Sequence, residues 1–365
     1  MNHFIDQQNQ LKDLQSLFSK LKAEGGFLAV DTEFLREKTY NAKLCLLQLG
    51  IGEHQYCIDV LAIEDISAVL DLLLADNVVK IFHAARQDVE VLLQTYSLIP
   101  KPLFDTQLAA AFCGMNMQIG YGAMVEEELG VTLEKSQSRT NWLLRPLTSK
   151  QIEYAGEDVA YLEALYIKMV DHLKKNDRYQ WYQDEIDLYY DPALYVIEPS
   201  FAYKRLAGGS LKRQQQYALK ALAEWREKTA INRNIPRTWV LKDDALFDLA
   251  IQQPKTLEEV IELGVFGKKS VKYWGIEVIE LINDVEVGDK RLWKKVEPLN
   301  KGQKEVCKKM MQELKKCSEK HEISQGLLAT RKDVESLFRN KVSEKLLQGW
   351  RNDLVGKPLV SFLNS

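Results

Sequence analysis

Between residues 26 and about 175, short apolar runs alternate with stretches of helical periodicity, and acidic residues stand where several of the runs end. Period-two and continuous apolar segments predict strands over Gly26–Phe34, Lys43–Ile51, Gln55–Val60, Val78–His83 and Leu103–Asp105. Helical spacing predicts helices over Ile63–Ala75, Ala85–Tyr96, Thr106–Cys113, Tyr121–Leu129 and Ser149–Lys174. The first three strands are joined by short connections, which favours antiparallel hairpins. The later strands alternate with helices, which favours parallel pairing. An α/β domain with a mixed sheet flanked by helices follows.

The acidic residues form a pattern of their own. Asp31 and Glu33 close the run Phe27-Leu28-Ala29-Val30, and strand side chains two apart leave the same face. Asp88 opens a helical stretch directly after Val78-Val79-Lys80-Ile81-Phe82. Tyr154 and Asp158 are four apart on one helix face. An Asp-x-Glu by itself is a weak signal. Four carboxylates converging from two strand ends and two helices repel one another, and hard divalent cations with oxygen ligands are the usual means of holding them. The pattern implies a pair of magnesium ions, with manganese as the alternative. Asp88 also stands where a helix cap belongs, and Asp105-Thr106 reads as a cap. His83, at a strand end, is assigned a structural or substrate-adjacent place outside catalysis.

With 365 residues the chain is too long for one ordinary core. Residues 1–190 read as the α/β domain, 191–210 as a Pro/Gly-interrupted linker, 211–285 as an all-α bundle, 286–300 as a second linker and 301–365 as a second helical bundle. Leu11, Leu14, Phe18 and Leu21 mark an amphipathic packing helix, where a signal peptide would need a continuous apolar core. No run is long enough to span a bilayer, so a cytoplasmic protein without a membrane partner is expected. The five cysteines form no C-x-x-C pair, which suits a reducing compartment and gives zinc little support. Lysine and arginine against aspartate and glutamate give −13 over residues 1–200 and +10 over residues 201–365, within a net −3. A basic half beside a carboxylate cluster suits a polyanionic substrate held by one part and cut by another.

The segments Asp31-Thr-Glu33-Phe34, His83-Ala-Ala-Arg-Gln-Asp88 and Tyr154-Ala-Gly-Glu-Asp158 resemble, in order and spacing, the three motifs of the DEDD exonuclease superfamily in its tyrosine-containing branch. The stretch from Ser136 to Thr148 and the near-complete coverage make the chain most similar to the bacterial ribonuclease D family. Ala223-Glu-Trp225-Arg226 and Asn234-Ile-Pro236-Arg237 resemble an HRDC domain. Leu327-Leu328-Ala-Thr330-Arg331-Lys332 and Gly349-Trp350-Arg351 resemble a shorter, more divergent one.

The resemblance implies a ribonuclease H-like domain followed by two HRDC bundles, and a metal-dependent 3′→5′ exoribonuclease releasing nucleoside 5′-monophosphates. It implies Asp31, Glu33, Asp88 and Asp158 as metal ligands, Tyr154 as the residue that positions the attacking water, and tRNA precursors among the RNA substrates. Phe34 is placed either to stack on the terminal base or to pack in the core. Lys135, Arg139 and Arg145 are placed either on phosphates near the cleft or on a solvated surface. Gly264-Val-Phe-Gly267-Lys268-Lys269 lacks the P-loop spacing and the Ser/Thr after the lysine, so no ATP use is expected and a helix-to-helix turn is. A monomer is expected. A DNA exonuclease, or an RNA-binding adaptor with a vestigial nuclease, remains the alternative, since no residue singled out reads the 2′-hydroxyl.

Overall fold

A computed structural model describes residues 1–133, 140–294 and 297–364. The chain forms two compact units. One comprises residues 1–35, 44–192 and 299–365, and the other comprises residues 36–43 and 193–298.

The first unit is built on a mixed sheet. Its strands among the described residues are β1 (Asn2–Ile5), β2 (Gly26–Leu35), β3 (Lys43–Ile51), β4 (His54–Ile58), β5 (Val78–Phe82) and β6 (Leu103–Asp105), in the order β1-β4-β3-β2-β5-β6. β3 and β4 form an antiparallel hairpin that turns at Gly52, whose φ of +57° suits a residue without Cβ. β1 on β4, β5 on β2 and β6 on β5 are parallel. The run Leu44–Leu49, apolar but for Gln48, is buried because β3 lies inside the sheet and is covered on both faces.

Two features depart from the sequence reading. Asn2–Ile5 is a strand where only an amphipathic helix was expected at this end. Four residues carry too little periodicity to announce a strand, and β1 exists through its pairing with β4. The helix expected over Ser149–Lys174 is two helices, Ser149–Ala160 and Leu162–Lys175. The Tyr121 hydroxyl sits at the break. It donates to the Glu157 carbonyl at 3.0 Å and accepts from the Tyr161 N–H at 3.0 Å, so a side chain occupies the place of one i→i−4 bond.

The first of these helices starts at a Thr148/Gln151 capping box and lies close against the sheet. Glycine permits the approach. A Cβ at Gly50 would meet Ala29 Cβ at 2.9 Å and the Val159 carbonyl at 3.0 Å, and one at Gly156 would meet the Asn2 side chain at 2.1 Å. The helix Arg86–Tyr96 is held by a residue from another element. Asp105, 2% exposed, accepts from the N–H groups of Ala84 and Ala85 at 3.0 Å each while capping Thr106–Phe112 through Gln107 and Leu108. One carboxylate thus fixes two helix starts.

The C-terminal helices Lys301–Lys320 and Arg331–Asn340 belong to the same unit. The buried Arg178 guanidinium donates to the carbonyls of Phe112, His321 and Glu322. Arg351 makes a two-pronged pair with Glu185, and Trp350 stacks on Trp181 with centroids 5.1 Å apart. The second unit is helical. Arg213–Arg233 runs through its core and packs against Asp243–Gln252 and Ser270–Asn283 around Leu219, Leu222, Trp225 and Trp274. No helix among the described residues is long and apolar enough to cross a membrane.

Replacing Asp105 with alanine strips the partner from four main-chain N–H groups, and the expected loss is about 3 kcal/mol of folding stability. Urea unfolding measures it. An unchanged midpoint would mean that the two helix starts do not depend on this carboxylate.

Candidate active site

Strand β2, the helix Ser149–Ala160 and the first turn of Arg86–Tyr96 bring the acidic residues into one cleft of about 340 Å³. Asp31, Glu33, Asp88, Tyr154 and Asp158 all line it, together with Phe34, His83 and Tyr121. Carboxylate oxygens of Asp31, Glu33 and Asp158 lie within 4.8 Å of one another, close enough to share a cation. Asp88 reaches the same cleft from its helix, but its carboxylate accepts the Thr32 hydroxyl at 2.5 Å and stands outside that trio. It is not the cap of its helix, since Asp105 supplies that.

Burial and mutual repulsion set the electrostatics. Glu33 is pushed up to about 9, first by desolvation and then by the charges of Asp158 and Asp88. Asp88 and Asp158 are each pushed up to about 7, with desolvation again the leading cause. Asp31 is raised well above the usual carboxylate range by burial and by all three neighbours. Burial and the same carboxylates also raise the Tyr154 phenol, which hydrogen-bonds Asp158. The donor set fits a hard divalent cation: oxygen ligands only, more negative charge than the cleft can hold unaided, and no sulfur or nitrogen donor in the trio.

The other residues singled out in the sequence separate clearly. Phe34 lines the cleft, half-buried. His83 donates from Nε2 to the Ile119 carbonyl and meets the Thr106 hydroxyl through Nδ1, at 2.9 Å each, and burial lowers its pKa. A neutral ring with both nitrogens engaged is a structural element of the wall. Arg145 is absent from the cleft lining. Its guanidinium pairs with the buried Asp59 at 2.5 and 2.7 Å and donates to the carbonyls of Cys45, Trp142 and Leu144. That commits it to the framework, where it anchors the segment whose Trp142 packs beside Tyr154. Lys135 and Arg139 lie outside the described residues.

Three further residues shape the site. Thr32 orients Asp88. Tyr121 sets the helix break three residues after Asp158. Gln48, fully buried, brings its Nε2 to 3.5 Å from Asp31 Oδ2. Gln48 carries a sequence signal, being the one polar residue in the apolar run Leu44–Leu49. Tyr121 carries none, because its role depends on a partner 36 residues away.

Residues 2–174 match the family described as 3′-5′ exonuclease, and residues 215–282 match the HRDC domain. The ribonuclease D of Escherichia coli (strain K12) is 34% identical over 92% of this chain and 92% of its own length. That of Bartonella henselae is 33% identical over 98% of this chain and 89% of its own. The crystal structure of Escherichia coli RNase D, described as an exoribonuclease involved in structured RNA processing, aligns with 100% of this chain and 99% of its own at a TM-score of 0.86 and 32% identity.

The raised carboxyls make a prediction about the protein stripped of divalent cations by a chelator. Each binds a proton in the folded chain at a pH where the unfolded chain has lost it. Their contribution to stability is full below their ordinary values near 4, and it is lost as pH rises through 7 for Asp88 and Asp158 and through 9 for Glu33. Asp158→Asn removes one of these charges, so at pH 8 in chelator it should melt a few degrees above the wild type, and the gap should close at pH 4. Melting curves at the two pH values decide this. A variant that melts lower at pH 8 would show that repulsion does not load the cleft.

Proposed function

This chain belongs to the ribonuclease D family and is a 3′→5′ exoribonuclease, and we propose that it trims the 3′ ends of structured RNAs, tRNA precursors above all, one nucleoside 5′-monophosphate at a time. The observation that carries the reading is the meeting of four carboxylates and Tyr154 in one open cleft. In the reaction, water attacks the last phosphodiester, the bond from phosphorus to the 3′ oxygen of the preceding nucleotide breaks, and the terminal nucleotide leaves with its 5′ phosphate. Two magnesium ions, or manganese in their place, held by Asp31, Glu33, Asp88 and Asp158, would supply a more acidic water and a neutralised leaving oxygen. Asp31 suits the shared ligand, since it feels all three other carboxylates. Tyr154, with its phenol raised, keeps its proton at neutral pH and acts by hydrogen bonding, which orients the water. Phe34 offers a ring face to the terminal base without reading its identity.

We assign residues 1–190 as the exonuclease domain, 211–285 as the first HRDC bundle and 301–365 as a second HRDC-like bundle, with 191–210 and 286–300 as connections. Lysines dominate the exposed face of Lys301–Lys320, where Lys304, Lys308 and Lys309 are exposed, and they suit the phosphates of an RNA body. A reducing, cytoplasmic compartment fits the five free thiols, and the chain is proposed to act as a monomer.

Asp88→Asn keeps an acceptor for the Thr32 hydroxyl, so it should fold and bind RNA while turnover falls roughly a thousandfold. Near-normal turnover of a 3′-extended tRNA would remove Asp88 from the metal set. The same assay on matched RNA and DNA oligomers tests the sugar preference. Changing Lys304, Lys308 and Lys309 together to alanine should flatten the salt dependence of tRNA binding by about 2 to 3 in log–log slope. Hydrolysis of a short unstructured oligomer should be unaffected, and an unchanged slope would take this helix out of the RNA grip.

A further inference from the structure

Strand β2 carries Asp31 and Glu33 near its end; its register with β5 covers Gly26–Ala29, and on its other side it is bonded to β3, the strand that follows the loop after β2. Two residues after Glu33, the chain leaves the first unit. Residues 36–43 belong to the second, helical unit, and β3 returns to the sheet after them. This loop is gripped there by a defined set of side chains. Asn234, at the end of Arg213–Arg233 with φ +46°, turns its Oδ1 to accept the main-chain N–H groups of both Tyr40 and Asn41 at 3.1 and 3.2 Å. The Tyr40 hydroxyl donates to Glu227, which is 2% exposed and receives Arg237 through two hydrogen bonds of 2.9 and 3.0 Å. The Arg237 guanidinium lies over the Tyr40 ring, 5.4 Å from its centroid, and the ring packs against the helical core.

A loop that only joined two strands would need none of this. Asn234 spends its acceptor on two amides of a segment more than 190 residues earlier, and buried Glu227 with its partner Arg237 is built around one tyrosine of that segment. We propose that Tyr40, Asn234, Glu227 and Arg237 form a positioning clamp for the exonuclease reaction: the helical unit holds the segment that follows β2 and thereby fixes the setting of Asp31 and Glu33. The helical unit then contributes to the chemical step as well as to RNA binding. Its clamp residues are positioning residues and touch neither substrate nor metal. The idea takes the exonuclease activity as given and does not depend on which RNA is trimmed.

The test uses the full chain, a short unstructured oligoribonucleotide that needs no helical domain to be held, and saturating magnesium. Glu227 is unsuited to substitution, because its loss would leave Arg237 without its buried partner. Asn234→Gly is suited, since glycine accepts the left-handed backbone while the acceptor disappears. Tyr40→Ala removes the ring, and Tyr40→Phe keeps the ring under Arg237 and loses only the hydroxyl. All three are assayed well below their melting temperatures, which are measured alongside. Asn234→Gly and Tyr40→Ala should lower kcat about tenfold with KM within about twofold, as small misplacements of reacting groups do. Tyr40→Phe should recover most of the loss. A wild-type kcat in folded Asn234→Gly and Tyr40→Ala proteins would overturn the proposal, as would a loss confined to KM.

Discussion

Repulsion among Asp31, Glu33, Asp88 and Asp158 is the constraint around which the first unit is organised. Left alone, four carboxylates in a half-buried cleft would spread apart or take up protons; burial first, and neighbouring charge second, raise their pKa values. The scaffold opposes the spreading at each root. β2 is held between β3 and β5, Thr32 holds Asp88, and Gly50 and Gly156 let the helix bearing Tyr154 and Asp158 sit hard against the sheet. Asp105 ties the start of the Asp88 helix to the start of the next one. Such rigidity would suit a cation site, because repelling ligands hold a cation only if they cannot relax away.

The same logic explains features that do not touch the cleft. Arg145 secures its own segment to Asp59, and Trp142 of that segment backs Tyr154. Arg178, Glu185 and Trp181 receive the C-terminal helices through buried polar contacts and a stacked indole pair. Buried pairs of this kind add little net stability, but each leaves an uncompensated charge if its partner shifts, so they favour one arrangement over near alternatives. Their placement around the exonuclease domain makes its outer shell as specified as its core.

Much of this was legible in the sequence, and the illegible part has a common cause. The five acidic and tyrosine positions followed from local rules, since strand period, helix period and the ends of apolar runs fix where those side chains point. β3 to β6 and the helix Tyr121–Leu129 were read correctly for the same reason. What stayed hidden depends on pairs distant in sequence. β1 needs β4, the helix break needs Tyr121, and Arg145 becomes structural only because Asp59 waits 86 residues upstream. The loop after β2 carried no sign that it would join the helical unit. Gln48 is the exception, a polar residue in an apolar run that could have been questioned from the sequence.

The side chains also limit how a proton can leave the attacking water. Burial and the neighbouring carboxylates make the Tyr154 phenol hold its proton more firmly than a free phenol does, which disfavours it as a base. His83 is neutral, but its Nε2 serves the Ile119 carbonyl and its Nδ1 faces the Thr106 hydroxyl, so neither nitrogen is free to accept. The remaining acceptors in the cleft are the carboxylates, all raised by burial above the usual carboxylate range. A positive charge that enters lowers these values, most directly for Asp31 and Glu33, which neighbouring cleft carboxylates help to raise. Ligand binding and proton acceptance at this site are therefore one linked equilibrium, set by how tightly the fold holds four like charges.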